Sequence, residues 1–204
     1  ELSPHIGGKT FLVTGAGGSI GSELCRQIAQ YKPQAVVLFE RYENTLHSLL
    51  LELHAAFPTV KIVPVIGDVT VPDRVAEVFR QTVPDIVFHA AAHKHVPLME
   101  LNPKEAIRNN ILGTRVVAEA AVKAGVSRFV LISTDKAVNP SSVMGVTKRI
   151  AEHMMQEFNG PGLTKFMVVR FGNVLGSNGS VVPLFTEQIL KGGSMMVPLM
   201  ACSL

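Results

Sequence analysis

The chain has 204 residues, enough for one domain with a sizeable core. Charged residues make up 17% of it, below the roughly 25% usual in soluble domains, so we expect a cofactor, a partner subunit or further structure to cover much of its surface. The net charge of +3 comes from scattered Lys and Arg side chains, which does not indicate a nucleic-acid-binding protein.

The cysteine content and the N-terminus bear on the cellular compartment. Cys25 and Cys202 are the only cysteines and form no disulfide framework, which favours a reducing cytoplasm. The first residues lack the features of a signal peptide, and no stretch approaches the roughly 18 apolar residues of a membrane span. We therefore expect a cytoplasmic chain with no membrane contact of its own. A longer parent protein with membrane helices upstream stays open.

Short apolar runs alternate with longer amphipathic stretches, which is typical of βα units around a parallel sheet. The predicted strands are Thr10–Thr14, Ala35–Phe39, Lys61–Val65, Ile86–His89, Arg128–Ile132 and Lys165–Arg170. The predicted helices are Ser19–Gln30, Glu43–Ala56, Pro72–Gln81, Pro103–Ala124 and Ser142–Phe158, with a short one near 184–190. We predict an α/β fold with a Rossmann-like doubly wound parallel sheet, an NAD(P)-binding domain over residues 1–170 and a partial substrate-binding segment over 171–204.

A glycine-rich turn follows the first predicted strand and opens the first helix. Gly15, Gly18 and Gly21 form a GxxGxxG pattern, in which small residues let the backbone approach a pyrophosphate at a helix N-terminus. The cofactor-binding residues predicted in this turn are Gly15, Gly17, Gly18, Ser19, Ile20 and Gly21.

The residues after the next strands indicate which dinucleotide binds. Glu40 stands where a carboxylate binds the adenosine ribose hydroxyls and repels a 2′-phosphate, which favours NAD. Arg41 keeps NADP open as the less favoured cofactor, because its guanidinium could pair with that phosphate. Further contacts are expected from Asp68 and Val69 near the adenine, and from Ala90, Ala91 and Ala92 near the middle of the cofactor.

The segment after the fifth predicted strand carries the reactive residues. Thr134 ends the strand, and Met144 and Lys148 lie one turn apart on a helix face. The segment resembles the active site of short-chain dehydrogenases, which keep a catalytic Tyr where Met144 stands and use the Lys to hold the nicotinamide ribose. Methionine cannot exchange a proton with a hydroxyl, so Asp135 and Lys136 are the candidates for acid and base.

Four longer motifs narrow this resemblance to one family. They are Gly15–Leu24, His89–Glu100, Ser133–Pro140 and Arg170–Ser177. Together they resemble bacterial UDP-N-acetylglucosamine 4,6-dehydratases of polysaccharide biosynthesis, an extended branch of the short-chain dehydrogenases, from about Gly8 to Gly193. The likeness is strongest to the long, membrane-attached branch, which carries Met in place of Tyr. A longer parent protein attached to the cytoplasmic face of the inner membrane is therefore an open alternative. Because family members continue past Gly193, the likeness also implies a truncated substrate-binding part.

The resemblance implies an NAD-dependent lyase that converts UDP-N-acetylglucosamine to a UDP-4-keto-6-deoxy sugar for surface polysaccharide. It implies Asp135 as the acid at carbon 6, Lys136 as the base at carbon 5, and Thr134 on the 4-hydroxyl. Asp135 must then be held protonated and Lys136 neutral, whereas an ordinary ion pair between them gives the opposite states. A water linked to Thr134 or Asp135 is our suggestion for the group that takes the 4-hydroxyl proton.

Other site residues also follow from the resemblance. Asn110 is expected to kink its helix and order water near Lys148, beside the cofactor. The predicted substrate contacts are Lys94 and Lys136 on the diphosphate or sugar, Asn173 on the diphosphate, and Ser180 and Val181 toward the uridine. No metal site is predicted, because His89, His93 and His95 do not share one coordinating face.

The oligomeric state and the reaction catalysed each have alternatives at this point. The superfamily pairs its two long helices into a four-helix bundle across a dimer, which implies a homo-oligomer. Ile107, Ile111, Val146 and Ile150 suit either this interface or the core. A UDP-sugar epimerase and a catalytically weak NAD-binding fragment of a longer enzyme are the alternative functions.

Overall fold

The computed structural model describes residues 6–160 and 162–172, which include one parallel sheet. Its strand order is β3-β2-β1-β4-β5-β6. The strands are β1 Thr10–Thr14, β2 Ala35–Glu40, β3 Ile62–Ile66, β4 Ile86–His89, β5 Arg128–Thr134 and β6 Lys165–Phe171. The order reverses between β1 and β4, and ligands of such sheets bind at the carboxyl ends of the strands beside this switch point.

The helices connect the strands and cover the sheet. They are α1 Ser19–Ala29, α2 Glu43–Ala56, α3 Pro72–Thr82, α4 Val96–Leu101, α5 Pro103–Ile107, α6 Thr114–Lys123 and α7 Val143–Phe158. A π-helix at Arg108–Gly113 joins α5 to α6, and a 3₁₀ turn at Asp135–Ala137 follows β5. Gly125 closes the end of α6 at a φ of +69°, a left-handed conformation that glycine adopts without strain.

The buried strands explain why the sheet forms. Every residue of β1 and β2 is buried, as expected for central parallel strands covered on both faces. One apolar cluster contains Phe129, Leu131 and Val117, and the other contains Phe11 and Leu38. Each such side chain stabilises the fold by roughly 1.5–3 kcal/mol.

The predicted doubly wound fold is confirmed, and each predicted strand is present with its ends within two residues. One helix prediction is wrong, and one observed helix was not predicted. The single helix predicted over Pro103–Ala124 is interrupted by the π-helix, and the sequence analysis did not find α4. The apolar pattern of 103–124 is continuous enough for one helix, but the pattern does not reveal the side-chain bonds that hold the π-turn.

The chain divides into two units, Glu1–Phe171 and Gly172–Leu204, and all elements above belong to the first. The predicted helix near 184–190 lies outside the described residues, and the division into a cofactor domain and a substrate segment stays a prediction. Among the described helices, none is both long and apolar enough to cross a bilayer.

Candidate functional site

The glycine turn packs its backbone against the end of β4. Gly15 has a φ of +64°, and a Cβ there would lie 2.7 Å from the Ala91 nitrogen. A Cβ on Gly21 would collide with the Gly15 carbonyl oxygen, so α1 approaches the turn closely only because this residue is glycine. Ala90 and Ala91 therefore lie beside the turn, and Ser19 and Ile20 begin α1. The predicted contact of Ala90, Ala91 and Ala92 with the middle of the cofactor stays a prediction. This narrow turn ahead of a helix N-terminus has the shape that accepts a phosphate group.

Glu40 is held beside the glycine turn by backbone donors. Its Oε2 accepts from the Gly17 N–H at 2.9 Å. Its Oε1 accepts from the N–H groups of Arg41 at 2.7 Å and Tyr42 at 3.0 Å. A carboxylate has about four acceptor positions, so Glu40 retains capacity for a ribose hydroxyl.

Arg41 is already paired. Its guanidinium lies 3.3 Å from Asp68 Oδ2, donates to the Tyr42 hydroxyl at 2.8 Å and stacks over the Tyr42 ring. Burial raises the pKa of Asp68, but bonds from Thr70 and Arg41 outweigh it and the pKa is lowered. Val69 is buried in the core, so its side chain packs rather than facing the crevice.

A buried histidine connects the glycine turn to the π-helix, a link the sequence analysis missed. His89 Nδ1 lies 2.7 Å from Thr14 Oγ1, and Nε2 lies 2.9 Å from Thr114 Oγ1. Because the Thr114 hydroxyl donates to the Asn110 carbonyl at 2.7 Å, we assign the ring proton to Nε2. Burial, then the charge of Lys148, lowers the pKa of His89 to about 3, so the ring is neutral at physiological pH.

Asn110 lies in the π-helix and its side chain is fully bonded. Oδ1 accepts from the His93 N–H at 2.8 Å and from Asn109 Nδ2 at 3.1 Å. Nδ2 donates at 3.0 Å to both the His93 carbonyl and Thr147 Oγ1. Asn110 lies in a distorted helix, as expected. Its side-chain acceptor and donor positions are all used, so none is left for a cofactor or a water. Asn110 thus positions the loop after β4 against α7.

Thr134, Asp135 and Lys136 meet at the carboxyl end of β5. The Thr134 hydroxyl donates to Asp135 Oδ1 at 2.8 Å, and Lys136 Nζ lies 3.3 Å from the same oxygen. Burial raises the pKa of Asp135, but the bonds from Thr134 and Lys136 outweigh it and the pKa is lowered. The expectation that Asp135 is held protonated is therefore wrong for this state, because the neighbouring donors favour the carboxylate.

Met144 is a packing residue here. It is buried in a small cluster with Met99 of α4 and Ala106 of α5, with Val96 and Val143 at its edge. A thioether donates no proton, and this one is enclosed by apolar side chains. Although Met144 occupies the place of the superfamily Tyr, it brings no acid or base to the site.

Lys148 is buried one turn further along α7. Its Nζ donates to the Ile132 carbonyl at 2.7 Å, which fixes the amine at the end of β5. Burial lowers the pKa of Lys148 to about 8, although the charge of Glu152 raises it. The contact of this amine with the nicotinamide ribose stays a prediction.

Glu152 is a buried charged residue that the sequence analysis missed. Its carboxylate accepts from Ser133 Oγ at 2.6 Å, from both Nε and Nη2 of Arg170, and from Arg149 at 3.4 Å. The position four residues after Lys148, on the buried face of α7, is a signal that could have identified it.

The remaining predicted residues are less informative. Lys94 is exposed in the loop before α4. Asn173, Ser180 and Val181 lie outside the described residues, so their roles stay predictions. Within residues 6–160 and 162–172, no group of three His, Cys, Asp or Glu side chains could hold a metal ion.

Comparison with known sequences finds relatives that are named for polysaccharide biosynthesis or for reactions of UDP-sugars. It is 57% identical to the capsular polysaccharide biosynthesis protein CapD of Staphylococcus aureus, over 96% of this chain and 33% of that protein. It is 38% identical to a UDP-N-acetylglucosamine 4,6-dehydratase (inverting) of Campylobacter jejuni, over 91% of this chain and 55% of that enzyme. It is also 35% identical to a UDP-glucose 4-epimerase of Rickettsia massiliae, over 93% of this chain and 56% of that enzyme. The chain thus spans a third to about half of these relatives.

Solved structures share the fold. Pen from Bacillus thuringiensis superposes with a TM-score of 0.85 at 38% identity, over 91% of this chain and 58% of Pen. DesIV, a dTDP-glucose 4,6-dehydratase from Streptomyces venezuelae solved with NAD and TYD bound, has a TM-score of 0.79 at 23% identity, over 91% and 63% of the two chains. A family model described as a polysaccharide biosynthesis protein matches residues 11–200. The resemblance seen in the motifs is confirmed at this level, and the chain belongs to the polysaccharide biosynthesis protein family.

Proposed function

We propose that the protein containing this chain is an NAD-dependent 4,6-dehydratase of UDP-N-acetylglucosamine that acts in surface polysaccharide biosynthesis. The observation that carries the proposal is the contact of Thr134, Asp135 and Lys136 at the carboxyl end of β5. A dehydratase needs an acid and a base near carbons 5 and 6 of the sugar, and this pair supplies one of each. The 38% identical C. jejuni enzyme carries the name of this reaction.

The residues of the glycine turn fit a dinucleotide. Side chains on Gly15 or Gly21 would fill the narrow turn, and Glu40 is fixed beside it with acceptor capacity to spare. Glu40 and the Arg41–Asp68 pair favour NAD over NADP, since a 2′-phosphate would meet a carboxylate and a guanidinium that already has a partner. NAD, when bound, supplies the oxidation at carbon 4 and returns the same hydrogen at carbon 6.

The bond from Thr134 to Asp135 suggests where the 4-hydroxyl proton goes in the absence of a Tyr. The sugar hydroxyl gives its proton to Thr134 Oγ1 as the Thr134 hydroxyl proton moves to Asp135 Oδ1, 2.8 Å away. This leaves a carbonyl at carbon 4 and a neutral acid at Asp135. The lowered pKa of Asp135 is then an advantage, because the resting carboxylate is ready to accept a proton.

The same proton completes the elimination. Once Asp135 is neutral it no longer favours the ammonium of Lys136, so Lys136 can lose its proton and take the one on carbon 5. Asp135 protonates the departing 6-hydroxyl, which leaves as water. Lys136 returns a proton to carbon 5 when the hydrogen is returned to carbon 6. Lys136 finally takes back from water the proton that it released to water before the elimination, so Asp135 and Lys136 end in their starting protonation states.

An epimerase is the second candidate, supported by the 35% identical Rickettsia enzyme. Epimerisation at carbon 4 does not expel the 6-hydroxyl and therefore has no use for the Asp135–Lys136 pair. The third alternative, a weakly active NAD-binding fragment, predicts that the isolated chain binds NAD but not UDP in isothermal titration.

The decisive experiment incubates the full-length protein with UDP-N-acetylglucosamine in deuterated water. We expect a 4-keto-6-deoxy product carrying one deuterium at carbon 5, detected by NMR and mass spectrometry. Asp135→Asn and Thr134→Val should each lower kcat by roughly 10²–10⁴-fold with NAD affinity unchanged. Asp73→Asn on the surface of α3 is the control and should keep wild-type activity. A product that keeps its 6-hydroxyl and is inverted at carbon 4 would instead identify an epimerase.

A further inference from the structure

Glu152 joins three elements through one buried carboxylate. The side chain is only 4% exposed. It bonds to Ser133 on β5, to Arg170 on β6 and to Arg149 on its own helix, α7. Burial raises the pKa of Glu152, but the bonds from Arg170 and Ser133 outweigh it and the pKa is lowered, so the group is ionised.

The partners of Glu152 lie next to the proposed reactive groups. Ser133 immediately precedes Thr134, so a shift of Ser133 moves the start of the proposed proton path. Arg170 lies three residues before Asn173, the predicted diphosphate contact. Lys148 is one turn away on the same face of α7, and its Nζ is bonded to Ile132 on β5.

A need for stability alone does not explain this arrangement. Well-packed apolar side chains of similar volume often replace a buried ion pair without loss of stability. A carboxylate with several fixed donors specifies geometry more narrowly than apolar contacts do, because each bond has a preferred length and direction.

We propose that Glu152 is a positioning residue, which fixes the end of β5 that carries Thr134 and Asp135 to the end of β6 that leads into the predicted sugar-nucleotide segment. The inference rests on the proposed dehydratase function. Glu152 itself exchanges no proton with the substrate. It acts through Ser133 on the reactive residues and through Arg170 on nucleotide binding.

The two links can be cut separately in the full-length protein. Ser133→Ala removes only the bond to β5, and we expect kcat to fall roughly tenfold while KM and the Kd values for NAD and UDP stay within about twofold. Arg170→Met removes the link to β6, and we expect the Kd for UDP to rise roughly tenfold with NAD affinity unchanged. Arg170→Lys keeps the charge and should recover part of this loss. Glu152→Gln should show both effects.

Ser127→Ala is the matched control. Ser127 precedes the opposite end of β5 and donates to the Asp85 carbonyl at 2.7 Å, so its loss removes a similar bond far from the proposed reaction. All parameters of this variant should stay within twofold of wild type.

Two results would overturn the inference. One is that folded Ser133→Ala and Arg170→Met proteins keep wild-type kcat and UDP affinity. The other is that kcat, UDP affinity and NAD affinity fall together in proportion to the loss in Tm, as a purely structural role predicts. If Glu152→Gln does not fold, the two single-link variants decide. If the wild type forms no 4-keto-6-deoxy sugar, the proposed function fails, and the effect of Arg170→Met on UDP affinity still tests the coupling.

Discussion

At the scale of one residue, the buried ammonium of Lys148 lowers the stability of the fold. The residue is 5% exposed, and its amine has one bond, to the Ile132 carbonyl, among the described residues. Burial disfavours the ammonium and Glu152 favours it, with the net result that the pKa falls from 10.5 to about 8. The folded state therefore holds this proton less tightly than the unfolded chain does.

Lys148→Met should stabilise the fold at pH 7. The lowered pKa corresponds to a cost of about 3 kcal/mol at neutral pH, offset by about 1 kcal/mol for the lost bond to Ile132, so we expect a gain of roughly 1–2 kcal/mol. Between pH 8 and 10.5 the unfolded wild-type chain binds more protons, so wild-type stability rises relative to the variant and the gain disappears.

Urea denaturation at pH 7, 8.5 and 10 measures this difference, with exposed Lys123→Met as the control. A variant that is less stable than wild type at every pH would contradict the desolvation cost of Lys148.

At the scale of elements, the π-helix between α5 and α6 is the clearest departure from the predicted structure. Its hydrogen bonds are paired differently from those of an α-helix, and π-turns are frequent at functional sites. The Asn110 side chain ties the π-helix to the loop at His93 and to Thr147 on α7. Its carbonyl accepts from Thr114, which continues the path to His89 and the glycine turn.

Asn110→Ala should destabilise the protein by roughly 2–4 kcal/mol, because it removes the bonds to the half-buried His93 backbone and to the buried Asn109 and Thr147 side chains. Hydrogen exchange should accelerate at the His93 amide, which loses its acceptor. Asn102→Ala is the control, since the exposed Asn102 side chain donates to the Leu98 carbonyl and the loss of this bond should cost under about 1 kcal/mol. Unchanged exchange at His93 would show that the amide bonds do not hold this loop.

At the scale of the whole molecule, the parts that follow from local pattern could be predicted from the sequence. Strand positions follow from apolar runs such as Ala35–Phe39, and the glycine turn follows from its spacing after β1. The carboxylate of Asp135 could not be predicted, because its charge depends on where the Thr134 hydroxyl and the Lys136 ammonium point. The hydrogen bonds of Glu152 join residues of β5, β6 and α7. These residues are distant in the sequence and come together only in the folded chain.

The predicted assembly is also a property of the whole molecule. Ile107 on α5, and Val146 and Ile150 on α7, are 40–45% exposed, and these two helices contact each other. Ile111 is half-buried. On α7, Lys148 and Glu152 are buried and bond to the sheet, whereas Val146 and Ile150 are exposed. Ile107, Val146 and Ile150 are therefore not core residues of this chain. The dimer stays a proposal.

If this face forms the dimer, Ile150→Lys should convert the protein to a monomer, because burying an unpaired ammonium costs several kcal/mol. Sedimentation velocity at micromolar concentration measures the change, and Leu51→Lys, at a 58% exposed position on α2, is the matched control. NAD affinity should stay unchanged in both variants, since Ile150 and Leu51 are exposed and neither is a predicted cofactor contact. A wild-type protein that sediments as a monomer would contradict the proposed dimer. A dimer that survives both Ile150→Lys and Ile107→Lys would locate its interface elsewhere, and the exposed apolar side chains of α5 and α7 would then need another partner.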